Sequence, residues 1–155
     1  LMLSASLYNA TYNGSNNIEY NSAYNGNYIV NLLGTKEFAW GEKKKRIFAI
    51  GGKVTAAGGR RYTALDTAVS GSIGQAVYVD APKNNLQFRD YFRFDLKINY
   101  KSNTQKLTHE IALDLVNVLN RQNFLKQTFV DGSPPEIVVD YQLGFLPILF
   151  YKLDF

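Results

Sequence analysis

Apolar residues fall on every second position from Leu143 to the terminal Phe155, through Phe145, Pro147, Leu149, Tyr151 and Leu153. Side chains alternate faces along a strand, so this spacing predicts a strand over residues 142–155 with one wholly apolar face. Its other face begins apolar at Leu146, Ile148 and Phe150 and turns polar at Lys152 and Asp154. The same alternation runs through 88–101, where Phe92, Phe94, Leu96, Ile98 and Tyr100 oppose Arg93, Asp95, Lys97 and Asn99. It recurs over 106–117, with Ile111, Leu113 and Leu115 opposite Glu110, Ala112 and Asp114, and over 46–57, with Phe48, Ile50 and Val54 opposite Lys53 and Thr55. Residues 1–8 and 18–33 complete a predicted set of about six long strands.

Within 18–33 two readings compete. Asn25-Gly26 between aromatic residues is a hairpin signal, but the face assignment continues through Gly26 without slipping, which favours one long strand. Residues 9–17 read as a loop, and 33–45 as a connection carrying Phe38 and Trp40. Residues 60–87 hold no sustained period, 102–105 form a short turn, and 119–141 is another long connection. Its flanks, 124–130 and 136–141, are β-rich enough to pair as a hairpin. Long and short connections alternate, as in an antiparallel meander. The expected class is all-β.

Composition changes the picture in three places. The 11 Tyr and 10 Phe support strands, and the absence of Cys excludes disulfides and thiolate metal sites. The net charge of +4 is concentrated at Lys43-Lys44-Lys45-Arg46, which reads as a solvated turn. Tyrosines are spread along strands and not interleaved with Arg and Lys in one patch, so no nucleic-acid partner is expected. No apolar run approaches the ~18 residues of a spanning helix. The chain opens Leu1-Met2-Leu3 without a charged leader, so the expectation is the tail of a longer precursor.

No catalytic constellation survives weighing. His109 is the only histidine, and Glu110 beside it points to the opposite strand face. Asp95 and Asp114 share the polar face, where pairing with Arg93 and Lys97 explains them better than acid/base work. Gly58-Gly59-Arg60-Arg61 lacks the helix start and the Lys-Ser/Thr pair of a phosphate loop. The glycines are expected to let the strand bend at its end. No enzyme activity, metal or cofactor is expected.

Several stretches then combine. They are Gly58-Gly59-Arg60-Arg61-Tyr62-Thr63, Tyr91-Phe92-Arg93-Phe94-Asp95-Leu96, Leu113-Asp114-Leu115-Val116-Asn117, Asn120-Arg121-Gln122-Asn123, and Gln142-Leu143-Gly144-Phe145-Leu146-Pro147. With a terminal Phe155, the chain resembles the C-terminal barrel portion of TonB-dependent outer-membrane receptors of the Bacteroidetes type, which carry a carboxypeptidase-regulatory-like domain. The resemblance implies the C-terminal part of a transmembrane β-barrel in the bacterial outer membrane, in a receptor that takes up a siderophore, glycan or vitamin complex. It implies that Tyr151, Leu153 and Phe155 form the signal read by the barrel-assembly machinery. It further implies outer-membrane lipid and lipopolysaccharide as surroundings, the remaining strands and a plug as partners, and a TonB complex reached through an N-terminal part that this chain lacks.

On that view Arg93, Asp95, Lys97, Glu110 and Asp114 face the lumen. Ligand contacts fall on the long connections, with Tyr62, Tyr78 and Phe124 for stacking and Arg60 and Arg61 for charge. The two arginines could equally meet lipopolysaccharide phosphates or acidic residues of the plug. The competing expectation is a soluble antiparallel barrel or sandwich holding an apolar ligand, with one face of every strand buried.

Overall fold

The alternating stretches become one antiparallel sheet in a computed structural model, which describes every residue except Lys43, Lys44, Ala81, Ser133 and Pro135, and only the backbone of Glu136. The elements are β1 (Met2–Leu7), β2 (Thr11–Asn13), β3 (Glu19–Asn21), β4 (Tyr28–Trp40), β5 (Arg46–Ala57), β6 (Arg61–Tyr62), α1 (Thr67–Ile73), β7 (Leu86–Gln87), β8 (Tyr91–Asn103), β9 (Thr108–Val116), β10 (Phe124–Val130), β11 (Glu136–Tyr141) and β12 (Leu146–Asp154). Six of them form the sheet in the order β1-β4-β5-β8-β9-β12, so each long strand pairs with the next one in the chain. The pairs β2–β3, β6–β7 and β10–β11 are small ribbons outside it. The helix is too short and polar to cross a membrane; strands cross by other rules.

Register carries the alternation across the whole sheet. Lys36, Ile50, Ile98, Leu113 and Leu149 stand side by side on one face, as do Phe38, Phe48, Tyr100, Ile111 and Tyr151. The other face joins Glu37, Ala49, Asn99, Ala112 and Phe150. Arg93, Asp95, Lys97, Glu110 and Asp114 all lie on this polar face, opposite Phe94, Leu96 and Ile98.

Two expectations along 18–45 are corrected. The long strand over 18–33 does not form: β3 ends at Asn21, the chain turns between Ser22 and Asn25, and β4 starts at Tyr28. The supposed connection over 33–45 is strand as far as Trp40, leaving a turn whose Lys43 and Lys44 lie outside the described residues. Asn25-Gly26 is a turn but joins no hairpin, because β3 pairs back onto β2 inside the expected loop 9–17. The stretch 60–87 contains α1, capped by Asp66 Oδ1, which accepts from the Val69 N–H at 3.0 Å.

The sheet has almost no apolar interior. Among the described residues the buried hydrophobic side chains are Leu65 and Ala112, whereas Leu3, Phe38, Ile111, Leu149 and Tyr151 are exposed on the apolar face. A compact 17.5 kDa monomer exposes roughly 7,900 Å², and this chain exposes 10571 Å². No second sheet or helix layer covers the apolar face among the described residues, and the edges of β1 and β12 carry no partner strand.

Candidate functional site

The three long connections, 8–27, 58–90 and 117–145, all leave from one end of the sheet, while the two short turns and the C-terminus lie at the other. The long-connection end is where the chain buries its polar side chains: Asn25, Ser70, Asn117 and Asn123. Buried amides persist only when their hydrogen bonds are made; Asn25 and Asn117 each brace their own connection, and Asn123 ties the third connection to β8. Asn25 Oδ1 accepts from the Ala10 N–H at 3.0 Å, and its Nδ2 donates to Asn9 and Asn21 Oδ1, both at 2.8 Å. Asn117 Nδ2 donates to the Arg121 and Leu143 carbonyls at 3.0 and 3.2 Å. Asn123 bonds both the N–H and the C=O of Phe92, at 3.1 and 3.0 Å.

Gly58 and Gly59 allow close approach of the backbones. A Cβ on Gly58 would collide with the Gly26 carbonyl, and one on Gly59 with the Phe88 carbonyl. Removing side chains here lets the first and second connections touch through their backbones.

These contacts shape a cavity of about 650 Å³. Arg60, Arg61, Tyr62 and Tyr78, the candidate contact residues, line it together with Asp80, Lys83, Phe88 and Lys126. Phe124 stands one layer behind: Tyr62 stacks on Phe88 with ring centres 4.2 Å apart, and Phe88 stacks on Phe124 at 4.8 Å. Both arginines already have protein partners. Arg61 Nε donates to the Asn25 carbonyl at 2.9 Å, and Arg60 donates to the Leu125 carbonyl at 3.2 Å while lying 4.6 Å over the Tyr24 ring. Lys83 and Lys126 also face the cavity, Lys126 Nζ standing 3.8 Å from Asp140 Oδ2, and neither is singled out by sequence reasoning. They stand in stretches with no period to mark them.

The polar face holds a second, trough-like cavity of about 590 Å³ lined by residues of β4, β5, β8 and β9, including Asp95, Lys97, Glu110 and Asp114. Arg93 Nη2 stands 2.9 Å from Asp95 Oδ2. Lys97 Nζ is 3.2 Å from Asp114 Oδ1 and donates to Oδ2 at 3.4 Å. Asn99 Nδ2 donates to Glu110 Oε1 at 2.6 Å. The expected pairing of Asp95 with Arg93 and Asp114 with Lys97 is what the structure contains. Asp95 does more, since its Oδ1 accepts from the Asn117 N–H at 2.9 Å.

Tyr151, Leu153 and Phe155 sit at the short-turn end, away from both cavities, and Phe155 is fully exposed. His109 meets Tyr151 across the β9–β12 pair, Nδ1 to hydroxyl 2.9 Å. Among the described residues no three His, Cys, Asp or Glu side chains gather as a metal site. Aromatic walls with lysines at their rim suit a stacked, polar or anionic guest. No family model matches the chain, and neither a curated protein nor a solved structure matches it.

Proposed function

We propose that the chain is the C-terminal segment of a transmembrane β-barrel in a bacterial outer membrane, part of a TonB-dependent receptor for uptake of a siderophore, glycan or vitamin complex. The observation that carries this reading is the bare apolar face. A single sheet with one face greasy and uncovered, the other polar and ion-paired, suits lipid on one side and a wet lumen on the other. Strands of 9 to 13 residues, from β4 through β12 in the sheet, match the ~9–11 residues that cross a hydrocarbon core with tilt. Six strands are fewer than the eight or so of the smallest closed bacterial barrels, so the edges of β1 and β12 would meet further strands. The long connections would then face the outside and hold the ligand in the 650 Å³ cavity. The uncovered face leaves a soluble barrel or sandwich without its second layer.

The test is loss of transport. A strain lacking the protein should lose energy-dependent uptake of one ligand among siderophore, glycan and vitamin complexes, and regain it with the wild-type gene. Unchanged uptake of all three classes, or recovery of the protein in the soluble fraction, would sink the reading.

A further inference from the structure

At the short-turn end a third cavity, of about 560 Å³, opens between the β4–β5 turn and the β8–β9 turn. Lys45, Arg46 and Lys106 line it with Ser102 and Gln105, and no acidic side chain does. None of the three cations enters an ion pair among the described residues, and the Ser102 hydroxyl makes no hydrogen bond there. The charged cluster on the polar face is neutralised internally, through Arg93 with Asp95 and Lys97 with Asp114. This one is not.

Its position on the sheet says what kind of anion it meets. Arg46 and Ser102 stand in register with Trp40 on the apolar face, one row beyond the row of Phe38, Phe48, Tyr100 and Tyr151. Trp40 packs against Tyr100 with ring centres 6.2 Å apart. Reading outward from mid-sheet, the face passes from a row of Ile50, Ile98, Leu113 and Leu149 beside Lys36, through the aromatic row, to the row that holds Arg46 and Trp40. Aromatic side chains settle at the headgroup level of a bilayer, and cations just beyond them meet lipid phosphates.

We infer that Lys45, Arg46 and Lys106 form a site for the phosphate of an anionic phospholipid, seated against Trp40 and Tyr100. Arg46 supplies a planar set of donors, the two lysines supply mobile charge, and Ser102 supplies a hydroxyl. A zwitterionic headgroup brings an ammonium group into the same cationic cavity, so net anionic lipids are preferred. The inference rests on the proposed membrane location, and its test separates the two.

The full-length protein is reconstituted in vesicles of phosphatidylcholine carrying either brominated phosphatidylglycerol or brominated phosphatidylcholine. Quenching of Trp40 emission is isolated by subtracting the spectrum of the Trp40→Phe variant. Phosphatidylglycerol should quench at a mole fraction lower by about fivefold or more, the change that one surface cation is worth. Combining Lys45→Gln, Arg46→Gln and Lys106→Gln should bring the two lipids to equality. Combining Lys53→Gln with Lys101→Gln, on the polar face, should leave the preference in place. Equal quenching in the wild type, or a preference unchanged in the triple variant, overturns the site. Loss of the preference in millimolar inorganic phosphate overturns the lipid assignment in favour of a free anion. No quenching by either lipid defeats the membrane location itself, and this inference with it.

Discussion

The Asn117 N–H donates to Asp95 Oδ1 at 2.9 Å, so a carboxylate in the polar wall of β8 also closes the turn that leaves β9. Asn117 holds φ at 52°, in the left-handed region, and its side chain is fully buried among backbone partners. Asn117→Gly keeps that backbone and loses the side-chain bonds; Asn117→Ala loses both. Alanine should cost ~1–2 kcal/mol more than glycine, the left-handed penalty of a Cβ. Unfolding titrations in lipid compare them, and equal costs would remove the backbone from the explanation.

Leu96 and Asn99 lie three residues apart on opposite faces of β8. Arginine in place of Leu96 should cost ~2–4 kcal/mol if that face meets lipid near mid-membrane, and much less in place of Asn99. Folding titration into vesicles measures both. Similar costs would count against lipid on the apolar face.

On the proposed reading, Phe155→Asp should leave synthesis intact and lower the level of the protein in the outer membrane severalfold. The motive is the unbroken apolar spacing of Tyr151, Leu153 and Phe155 at the chain end. Membrane fractions probed by immunoblot report it, and wild-type levels would refute the assembly role.

Tyr78 and Tyr62 separate recognition from stability. Tyr78 is exposed and lines the large cavity, so Tyr78→Ala should weaken uptake and change stability by less than about 0.5 kcal/mol. Tyr62 stacks on Phe88, and Tyr62→Ala should destabilise by about 1–3 kcal/mol. Uptake and unfolding measured on both variants check the split; normal uptake by Tyr78→Ala would place recognition elsewhere.

Expressed alone, these 155 residues should aggregate without detergent, because the apolar face and both sheet edges are open. Size-exclusion chromatography after refolding decides it. A monodisperse monomer with cooperative unfolding would revive the soluble binding module.

The strands were legible where a period of two runs unbroken over many residues, as in β5, β8, β9 and β12. The β10–β11 hairpin was legible from its β-rich flanks, 124–130 and 136–141. Residues 18–27 misled because alternating Tyr and Asn kept the period while the chain turned. What breaks the strand there is Asn25, held by Asn9, Asn21 and Ala10, and Gly26 pressed on Gly58. Both are tertiary contacts that no local pattern records. At Lys36 and Glu37 the charges suggested a connection, although the Lys36 ammonium lies 6.0 Å from the Phe38 ring within a continuing strand. At the candidate site, aromatic and basic residues were legible as types, but not that Arg60 and Arg61 would be held by backbone carbonyls.

The order of the sheet bears on how it is made. Each long strand pairs with the one before it in the chain, so the sheet can grow by adding one antiparallel neighbour at a time. The ties at the long-connection end obey a different clock. Arg60 reaches Leu125 across 65 positions and Arg89 reaches Gln122 across 33, so neither bond can form until β8 and β9 are in place. The 650 Å³ cavity is therefore the last part to acquire its shape. A chain stalled partway through strand addition would carry a finished sheet edge and no such cavity.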